Sequence, residues 1–420
     1  MKVLIFQTGE PFKTDGNAYR EMRAGVLSDW LISSGHSCEV WSSTFFHQEK
    51  RQRYTADTKF KMENGCSFRF IRSPGYSKNV SLARFWDHLV LGIRTYNQLI
   101  TEYDETDLPD AVYIGFPPIE FAFFVSRWAK KRRIRTVICL EDQWPDLFVS
   151  YFPKSIRWLA RIAFYPYTFL LRKTLANVDV VSGVSESYLD WGFRVARRER
   201  GSEDFVFSLV SDYPAVSVSE ETEAERFWTR NGVDAAGSEK IVFVGTLSRG
   251  FKFHGVAEAV RLLRQAGRSN EVVIAGTGER ELEVRNLFKG IDGVFFPGWI
   301  NFPQYKWLLD RAGIALAPYD DVENFSQNIP NKLVDAVWAN VPIVTAVGDG
   351  EMASFVSENN IGMHLSYNTA EEWFGAFERI LGDPELKSTM VANAQSVYES
   401  KFSAQELKDL CLSAILPAKL

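Results

Sequence analysis

The sequence predicts an α/β protein with two consecutive domains, each built on a parallel sheet that helices cover on both faces. Short apolar runs of strand length alternate with amphipathic helical segments, and this alternation is typical of parallel sheets. The alternation stops in a polar, charged stretch between about 198 and 237 and then restarts. With 420 residues, 46% of them hydrophobic, the chain is long enough to bury two cores.

The first half of the chain opens with a βαβ unit. It consists of "KVLIF", a polar loop, a helix over about 18–34 and the strand "CEVWS". The pattern continues with "DAVYIGF", a helix through "FAFFVSRWAKKRR", "RTVICL", a helical stretch over about 155–176 and "VDVVSGVS". We therefore place the first domain at 1–205 and expect a C-terminal helix over about 403–420 to pack back on it.

The second half repeats the alternation and defines a domain over 206–402. Its elements are "KIVFVGTL", a helix from Gly255 to about Arg264, "EVVIAGTG", a helix over about 279–289, "GVFFPGW", a helix in "FPQYKWLLDRA", "GIALAPY", the helix of "PNKLVDAVWA" and "PIVTA". In such sheets ligands bind at the carboxyl ends of the strands, so the expected site is the crevice between the two domains.

Composition and charge exclude several classes of protein. A net charge of -5 and a pI near 5.8 give no overall electrostatic reason to bind nucleic acid. The four cysteines show no metal or redox spacing and are expected to be buried thiols in a reducing compartment. The N-terminus lacks the pattern of a signal peptide, and no apolar run reaches the length of a membrane span. We expect a cytoplasmic protein.

Two glycine-containing turns of the second domain differ in charge. "VFVGTLSRGFKFHG" carries Arg249 and Lys252 before a helix start, where cations and free N–H groups suit a phosphate. Ordinary surface charges are the alternative. "VVIAGTGERELE" places Gly276 and Gly278 after a strand, but three glutamates crowd the next helix start and would repel a phosphate. We interpret it as a tight structural turn that forms one wall of a base pocket.

A third turn opens the helix of "PNKLVDAVWA". With Pro330 at the first helical position, the N–H groups of Asn331 and Lys332 lack intrahelical partners and suit a second phosphate or a sugar. Asp335 lies one turn beyond Asn331 on the same face, where its carboxylate can accept hydrogen bonds from the vicinal hydroxyls of a ribose. The alternative is an acid that is solvated or pairs with the helix dipole.

Candidate residues of the first domain follow its strands. Gly16 lies in the loop after the first strand, where a backbone without a side chain can approach a ligand closely. Its polar neighbours Asp15 and Asn17 explain a helix cap equally well. Asp142 ends a hydrophobic strand at the expected crevice, with a helix cap as the competing interpretation. His47 has no histidine partner at a metal-ligand spacing.

The helical stretch "SIRWLARIAFYPYTFLLRKTLA" mixes aromatic and basic residues. Such a mixture suits contact with an anionic membrane surface, where aromatic rings lie at headgroup depth and cations meet acidic lipids. An aromatic stripe is also typical of core packing, and Pro166 interrupts the helix. Both interpretations are kept.

Motif order in the second domain resembles the retaining GT-B glycosyltransferases of group 1, or family 4. The matching segments are "VFVGTL", "IAGTGERELE", "FFPGWI", "IALAPY" and "IPNKLVDAVWANVPIVT". In the family form P-S-K-L-x-E-Y-x-A-x-G-x-P-V-I, the identical positions are Pro330, Lys332, Leu333 and Pro342. Asp335 takes the place of the ribose-binding glutamate.

The first domain resembles one branch of this family, whose members build bacterial surface polysaccharides. His47, Lys50 and Arg53 fill the branch pattern H-x-x-K-x-x-R, and "VICLEDQWPDLF" is similar to its E-x-R-D-L-W-P-E-S segment. The resemblance implies two Rossmann-like domains, an interdomain cleft and an EC 2.4 glycosyl or hexosyl transfer with retention. It also implies a UDP- or GDP-sugar donor and a saccharide or lipid-linked saccharide acceptor.

The resemblance also assigns roles to residues. Catalytic roles fall to Arg249, Lys252 and Asp142, and an acceptor-side role to His47, Lys50 and Arg53. The donor-binding positions are Gly16, Gly245, Thr246, Gly278, Trp299, Gln327, Asn331, Lys332 and Asp335. No metal and no cofactor are expected, because the nucleoside diphosphate sugar is a substrate and the two cations neutralise its phosphates. A lipid-linked acceptor implies peripheral contact with the inner membrane.

Two departures from the family form keep other functions open. Eight positions before Asp335 stands Gln327 instead of a glutamate, with Asp321 and Glu323 the nearest upstream acids, and Asn340 replaces the usual glycine. A catalytically weak GT-B protein that binds a nucleotide sugar or supports a partner enzyme is one alternative. A GT-B epimerase that acts on a free nucleotide sugar is the other.

Overall fold

A computed structural model of the protein describes residues 1–16, 22–208, 215–237, 239–320 and 326–416. Asn17, Asp321 and Glu323 therefore lie outside the described residues. The chain divides into two compact units, which we call the N-terminal unit and the C-terminal unit. The N-terminal unit comprises Met1–Val210 together with Gln405–Leu420, and the C-terminal unit comprises Ser211–Ala404.

The N-terminal unit is built on a sheet with the strand order β10-β9-β8-β7-β1-β2-β6-β5. Its strands are β1 Lys2–Phe6, β2 Ser37–Ser43, β5 Thr58–Lys61, β6 Ser67–Ile71, β7 Ala111–Phe116, β8 Arg135–Leu140, β9 Val180–Gly183 and β10 Phe205–Val206. Neighbouring strands are parallel except for β5, which pairs antiparallel with β6. After β2, the strands β3 Phe45–Phe46 and β4 Arg51–Gln52 form a separate two-stranded antiparallel sheet.

The central strands of this sheet are apolar on both faces, because helices cover both sides. In register, Phe6 of β1 lies beside Ile114 of β7, and Phe116 of β7 lies beside Leu140 of β8. The carboxyl ends of β1, β7 and β8 are therefore neighbours. The residues that follow these strands meet at one edge of the sheet.

The helices of the N-terminal unit are Arg23–Ser33, Leu82–Glu102, Ile119–Lys131, Asp146–Ser150, Arg157–Ala163, Tyr165–Asn177, Glu186–Ala196 and Ala404–Ile415. The predicted helices are present with shifted bounds, whereas Leu82–Glu102, Asp146–Ser150 and Glu186–Ala196 were not predicted. The stretch predicted at 155–176 forms two helices, and Pro166 lies in the first turn of the second, where its missing N–H costs nothing. All four cysteines are buried and free, as predicted.

The C-terminal unit is built on six parallel strands in the order β13-β12-β11-β14-β15-β16. Numbered within this unit, the order is 3-2-1-4-5-6, the doubly wound arrangement of dinucleotide-binding sheets. The strands are β11 Lys240–Val244, β12 Val272–Ala275, β13 Val294–Gly298, β14 Ala312–Ala317, β15 Ile343–Thr345 and β16 Gly362–His364. The order reverses between β11 and β14, which places the expected ligand position there.

Helices cover both faces of this sheet. They are Val218–Arg230, His254–Gln265, Glu281–Leu287, Phe302–Leu309, Asn331–Trp338, Glu351–Glu358, Ala370–Gly382 and Pro384–Lys401. The helix Asn331–Trp338 begins one residue later than predicted, because Pro330 is extended and acts as its N-cap. Its apolar face is buried. Within the residues described, no helix is both long enough and apolar enough to cross a membrane.

Candidate active site

Two turns of the C-terminal unit touch through their backbones. A Cβ atom on Gly276 would lie 2.0 Å from the carbonyl oxygen of Gly245, and one on Gly278 would lie 2.3 Å from that of Leu247. The N–H of Leu247 donates to the carbonyl of Thr277 over 2.9 Å. Gly276 also has a φ of +130°, which favours glycine. These glycines therefore hold the turn after β12 against the turn after β11.

Arg249 and Lys252 lie in the loop after β11, and both pair with acids from other turns. The Nε of Arg249 is 3.6 Å from Glu279, and the ammonium of Lys252 pairs with Asp320. The Arg249 side chain is 88% exposed. This loop has no acid of its own in the sequence, but neighbouring loops supply Glu279 and Asp320. Exposed pairs of this kind are weak, so an anionic ligand can displace them.

Lys332, in the first turn of the helix Asn331–Trp338, is enclosed by aromatic rings. Its Nζ lies 4.1 Å from the centroid of Phe243, 3.9 Å from that of Phe251 and 5.2 Å from that of Tyr319. Burial disfavours the charged form and lowers the pKa of Lys332 to about 7. A Cβ on Gly245 would lie 2.9 Å from this nitrogen. The ammonium therefore lies against the turn that follows β11.

The N–H groups at this helix start are available. Within the residues described, the Leu333 and Val334 N–H groups donate to the Pro330 carbonyl, whereas those of Asn331 and Lys332 have no acceptor. This agrees with the general expectation for a helix N-terminus.

Asp335 lies on the buried side of the same helix. Its Oδ2 accepts a hydrogen bond from the hydroxyl of Tyr305 over 3.1 Å, and the residue is 6% exposed. A fully solvated acid, one of the alternatives in the sequence analysis, does not fit this position. The carboxylate is held in a fixed place by Tyr305, one turn beyond Asn331.

The remaining predicted donor residues occupy different environments. Trp299 directly follows β13 and is 60% exposed, and Gln327 is partly buried ahead of the helix Asn331–Trp338. Thr246 lies in the turn after β11, where its carbonyl accepts from the Ser248 N–H. Gly16 belongs to the N-terminal unit and has a φ of +107°, with open space around its Cα.

The N-terminal unit contains a cavity of about 210 Å³ at the carboxyl ends of its central strands. Two of the predicted site residues, His47 and Asp142, line it. The other polar residues of the lining include Gln7, Glu10, Tyr76, Arg84, Asp87, His88 and Glu141.

Two carboxyl groups of this cavity have raised pKa values. Glu141 accepts from the Gln7 amide over 2.9 and 3.0 Å, and burial together with nearby Glu10 raises the pKa of Glu141 to about 8. Burial also raises the pKa of Glu10, whose Oε2 accepts from the N–H of Ala24. A Cβ on Gly115 would lie 2.3 Å from the Gln7 amide nitrogen, so a side chain there would displace this amide.

Asp142 is fixed by two hydrogen bonds from residues that follow it. Its Oδ1 accepts from the Gln143 N–H over 2.8 Å, and its Oδ2 accepts from the Trp144 indole over 2.9 Å. Burial raises the pKa of Asp142, and these hydrogen bonds oppose the shift. The competing interpretation as a helix cap does not fit, because the next helix begins at Asp146 with Pro145 as its N-cap.

His47 is held by two polar neighbours. Its Nδ1 lies 2.6 Å from the Tyr76 hydroxyl and 3.0 Å from the Lys50 ammonium. Burial, with the charges of Lys50 and Arg84, lowers the pKa of His47 to about 4, so the ring is neutral at pH 7. An ammonium group can only donate, so Nδ1 accepts and Nε2 carries the proton.

Arg53 makes its hydrogen bonds to other residues of the N-terminal unit. Its Nε and Nη2 donate to the two oxygens of Asp15 over 2.5 and 2.7 Å, and both side chains are almost fully buried. Its Nη1 donates to the carbonyl of Ser43 over 3.1 Å. Arg53 does not belong to the cavity lining. The resemblance predicts an acceptor-side role for Arg53, but the observed contacts connect two loops.

The C-terminal unit resembles a known protein family in sequence. Residues 238–383, all within the C-terminal unit, match the family described as "Glycosyl transferases group 1". The protein is a glycosyltransferase. No curated protein sequence matches the chain.

Solved structures resemble the glycosyltransferase over nearly its whole length. HepE from Anabaena, determined in complex with UDP-glucose, is 14% identical, with 98% of this chain and 99% of that chain covered and a TM-score of 0.61. WaaG, described as a glycosyltransferase involved in lipopolysaccharide biosynthesis, is 13% identical, with 100% of each chain covered and a TM-score of 0.61. Sucrose-phosphate synthase from Thermosynechococcus elongatus is 13% identical, with 98% and 97% covered and a TM-score of 0.66. The fold is GT-B, as predicted.

The sequence analysis missed several cavity residues of the glycosyltransferase. Arg84, Asp87 and His88 lie on the helix Leu82–Glu102, and all three line the cavity. Buried Glu120 lies 3.9 Å from His88, and burial raises the pKa of Glu120 to about 7. Polar residues three and four positions apart on an otherwise apolar helix face are the signal that could have identified the group.

A metal ion would need several ligating side chains close together in the described part of the chain. Within it, no cluster of three or more histidine, cysteine or acidic side chains has the arrangement to hold a metal ion.

Proposed function

We propose that this glycosyltransferase transfers a sugar from a nucleoside diphosphate donor to a hydroxyl of a saccharide or lipid-linked saccharide. We further propose a UDP- or GDP-sugar donor, retention at the anomeric carbon and a place in bacterial surface-polysaccharide synthesis. The observation that carries the proposal is the position of Lys332. Its ammonium lies against the turn after β11, where the strand order of the sheet reverses.

The diphosphate would bind at the turns after β11 and β12. Three cations come from these turns and from the helix start, namely Arg249, Lys252 and Lys332. The N–H groups of Asn331 and Lys332 add fixed donors, which suit phosphate oxygens. The fold neighbour HepE, determined with UDP-glucose, supports a donor of this chemical class.

The nucleoside would extend from the diphosphate along the same helix. Asp335, whose Oδ2 accepts from the Tyr305 hydroxyl, would accept hydrogen bonds from the ribose hydroxyls. The tight turn with Gly276 and Gly278 would form a wall of the base pocket. Trp299 and Gln327 complete the proposed donor site.

The chemistry follows from the fixed charges. The bond between the anomeric carbon and the diphosphate oxygen breaks, and the acceptor oxygen bonds to the same face of that carbon. The acceptor proton passes to an oxygen of the leaving diphosphate. Arg249, Lys252 and Lys332 would meet the negative charge that develops on the departing group, which is the usual route to a lower barrier. The proposal needs neither a metal ion nor a further cofactor.

The acceptor would bind in the cavity of the N-terminal unit. His47 presents an Nε2–H donor, and Asp142 is a partly buried acid held by hydrogen bonds just beyond the end of β8. Asp142 would accept a hydrogen bond from the reacting hydroxyl and orient it. We retain Lys50 in this acceptor site through its contact with His47.

We also propose peripheral contact with the cytoplasmic face of the inner membrane. The helices Arg157–Ala163 and Tyr165–Asn177, together with residues 151–156 before them, expose a set of large apolar residues and the cations Lys154 and Arg161. The exposed apolar residues are Tyr151, Phe152, Ile156, Trp158, Leu159, Ile162, Tyr165 and Phe169. Core packing explains a different set of residues in this stretch, namely Phe164, Tyr167, Leu170, Leu171 and Leu175. Aromatic rings beside cations suit an anionic bilayer, and WaaG, which resembles this fold, is described as acting in lipopolysaccharide biosynthesis.

The direct test is a thermal-shift screen of UDP-, GDP- and ADP-sugars, followed by transfer assays with the donor that raises the melting temperature. A ligand that binds the native state raises the midpoint. Lys332→Met should weaken donor binding, whereas Lys289→Met, at an exposed position of the same unit, should not. Equal donor affinity in both variants would contradict the donor site. A new sugar epimer formed without acceptor would support the epimerase instead.

A further inference from the structure

Two cations at the N-terminal cavity lack an acidic partner. Within the described residues, no carboxylate oxygen lies within 4.0 Å of the Lys50 ammonium or the Arg84 guanidinium. Lys50 Nζ lies 5.0 Å and Arg84 Cζ 5.3 Å from the centroid of the Tyr76 ring. Both cations thus stand around one aromatic side chain, which lines the cavity together with Arg84.

The acids of the same cavity hydrogen-bond to other groups instead of touching these cations, although the charges of Asp142 and Asp87 attract Arg84 at longer range. Asp142 uses both carboxylate oxygens for the Gln143 N–H and the Trp144 indole, and Asp87 accepts from the Gly75 N–H over 2.6 Å. Burial raises the pKa of Glu10, and burial together with Glu10 raises the pKa of Glu141 to about 8, so Glu141 favours its neutral form at pH 7. The polar surface near Tyr76 is therefore rich in donors.

Arg84 has one donor that the protein does not use. Its guanidinium packs 4.4 Å from the centroid of the Trp144 ring, and its Nη1 donates to the carbonyl of Asn79 over 2.9 Å. Its Nε is buried and has no hydrogen-bond partner among the described residues. A buried donor without a partner destabilises the protein, unless a ligand supplies the acceptor.

Lys50 and His47 supply further donors beside Arg84. Lys50 has a φ of 55°, a left-handed conformation that is uncommon for lysine, and in it the ammonium donates to the His47 carbonyl over 2.7 Å. The ammonium also fixes the His47 tautomer with the proton on Nε2. Lys50 is thus a positioning residue, whereas His47 and Arg84 line the cavity.

We propose that Arg84, His47 and Lys50 bind an anionic substituent of the acceptor, either a phosphate or a carboxylate. Arg84 Nε–H and His47 Nε2–H donate to the anion, and Lys50 adds positive charge while holding His47. Arginine beside a second cation is a common receptor for such groups. The inference rests on the proposed function, because it assumes that the cavity receives the acceptor, and it narrows the acceptor to an acidic saccharide.

The test measures binding of three probes to the full-length protein by isothermal titration calorimetry. The probes are glucose 6-phosphate, glucuronate and glucose, which differ in the presence and kind of the anionic group. We expect at least one anionic probe to bind about tenfold more tightly than glucose. Preference for glucose 6-phosphate identifies a phosphate site, and preference for glucuronate identifies a carboxylate site.

Variants connect the preference to the named residues. Arg84→Gln and Lys50→Gln should each remove most of the preference for the anionic probe, and Arg84→Lys should restore part of it. Arg94→Gln is the matched control, because Arg94 is an exposed arginine on the same helix that pairs with Asp57. If Arg84→Gln does not fold, Lys50→Gln together with the salt dependence of wild-type binding decides the question.

Two results would overturn the inference. One is equal affinity for glucose and both anionic probes, and the other is a preference that persists in Arg84→Gln and Lys50→Gln. UDP-glucose and GDP-mannose binding is measured on the same samples. If the protein binds a nucleotide sugar but shows no preference for the anionic probes, only this inference is contradicted. If it prefers an anionic probe but neither binds nor transfers a nucleotide sugar, the proposed function is contradicted and the anion site is supported.

Discussion

The ammonium nitrogen of Lys332 lies 3.9 Å from the centroid of the Phe251 ring. Phe251 belongs to the loop that carries Arg249 and Lys252, whereas Lys332 opens the helix Asn331–Trp338. The two segments that the sequence predicts to bind a diphosphate therefore meet through a cation and an aromatic ring. The contact is attractive, but it also removes the ammonium from water, which lowers the pKa of Lys332 to about 7.

Donor affinity should therefore fall as the pH rises. A bound diphosphate favours the charged ammonium, so binding above the pKa of about 7 must take up a proton. We expect the Kd for the donor to increase by up to about tenfold per pH unit above that value. Titration calorimetry from pH 6 to 9, in buffers of different ionisation enthalpy, measures both the Kd and the proton uptake. In Lys332→Met the proton uptake should disappear; the same uptake in both proteins would contradict the prediction.

The contact between glycine turns predicts a loss of stability on adding one methyl group. In Gly276→Ala the new Cβ would lie 2.0 Å from the Gly245 carbonyl oxygen, so the turns must separate. We expect the free energy of unfolding to fall by about 2 kcal/mol or more. Gly375→Ala is the control, because Gly375 is inside a helix with open space around it and alanine should stabilise by about 0.5–1 kcal/mol. Urea denaturation compares the two, and equal stabilities would contradict the prediction.

Arg53 should matter for stability more than for acceptor binding. Its ion pair with Asp15 is buried, so Arg53→Ala leaves an unpaired buried carboxylate and should cost about 3–5 kcal/mol. Arg51→Ala, which removes a half-exposed pair with Glu49 two residues away, should cost less than about 0.5 kcal/mol. Thermal unfolding measures both. A stable Arg53→Ala protein with a raised KM for the acceptor would restore the acceptor-side role.

The raised pKa of Glu141 should make the stability of the protein depend on pH. Its pKa rises from an ordinary 4.5 to about 8 in the folded protein, so between these values the folded state keeps a proton that the unfolded state releases. The free energy of unfolding should therefore decrease as the pH rises through this window, by up to about 1.4 kcal/mol per pH unit. Glu141→Gln cannot ionise and should flatten the profile. Parallel urea titrations of the two proteins from pH 5 to 8.5 provide the measurement, and identical slopes would contradict the prediction.

The exposed aromatic surface predicts binding to anionic vesicles. Co-sedimentation should be stronger with phosphatidylglycerol vesicles than with phosphatidylcholine vesicles, because Lys154 and Arg161 meet acidic headgroups. Replacing both Trp158 and Ile162 by serine should reduce the bound fraction about threefold or more. Leu282→Ser removes a similarly exposed apolar residue from the C-terminal unit and serves as control. An equal loss in the control would refute a specific surface.

The sequence predicted the alternation of strands and helices because apolar periodicity records which faces are buried. It also placed the turns after β11 and β12 at the carboxyl ends of their strands. It located the N–H groups of Asn331 and Lys332, since the first turn of any helix leaves them unpaired. These features depend on residues close to one another along the chain.

Features that depend on distant residues were not predictable in the same way. The three rings around Lys332 come from positions 243, 251 and 319, and only the fold brings them together. Arg53 fits a binding motif in the sequence, but the structure pairs it with Asp15, 38 positions earlier. Arg84 fills no binding motif, and only the fold shows that its Nε is buried without a hydrogen-bond partner among the described residues.

The helix Ala404–Ile415 has a practical consequence. It belongs with the N-terminal unit, where the Arg135 guanidinium donates to the Ala414 carbonyl over 2.9 and 3.1 Å, although it follows the C-terminal unit in sequence. A fragment that stops at residue 210 would expose the surface on which this helix packs. Deleting the last turns of the chain should therefore damage the unit at the opposite end of the polypeptide, and an isolated N-terminal unit should be expressed with the final helix rejoined by a linker.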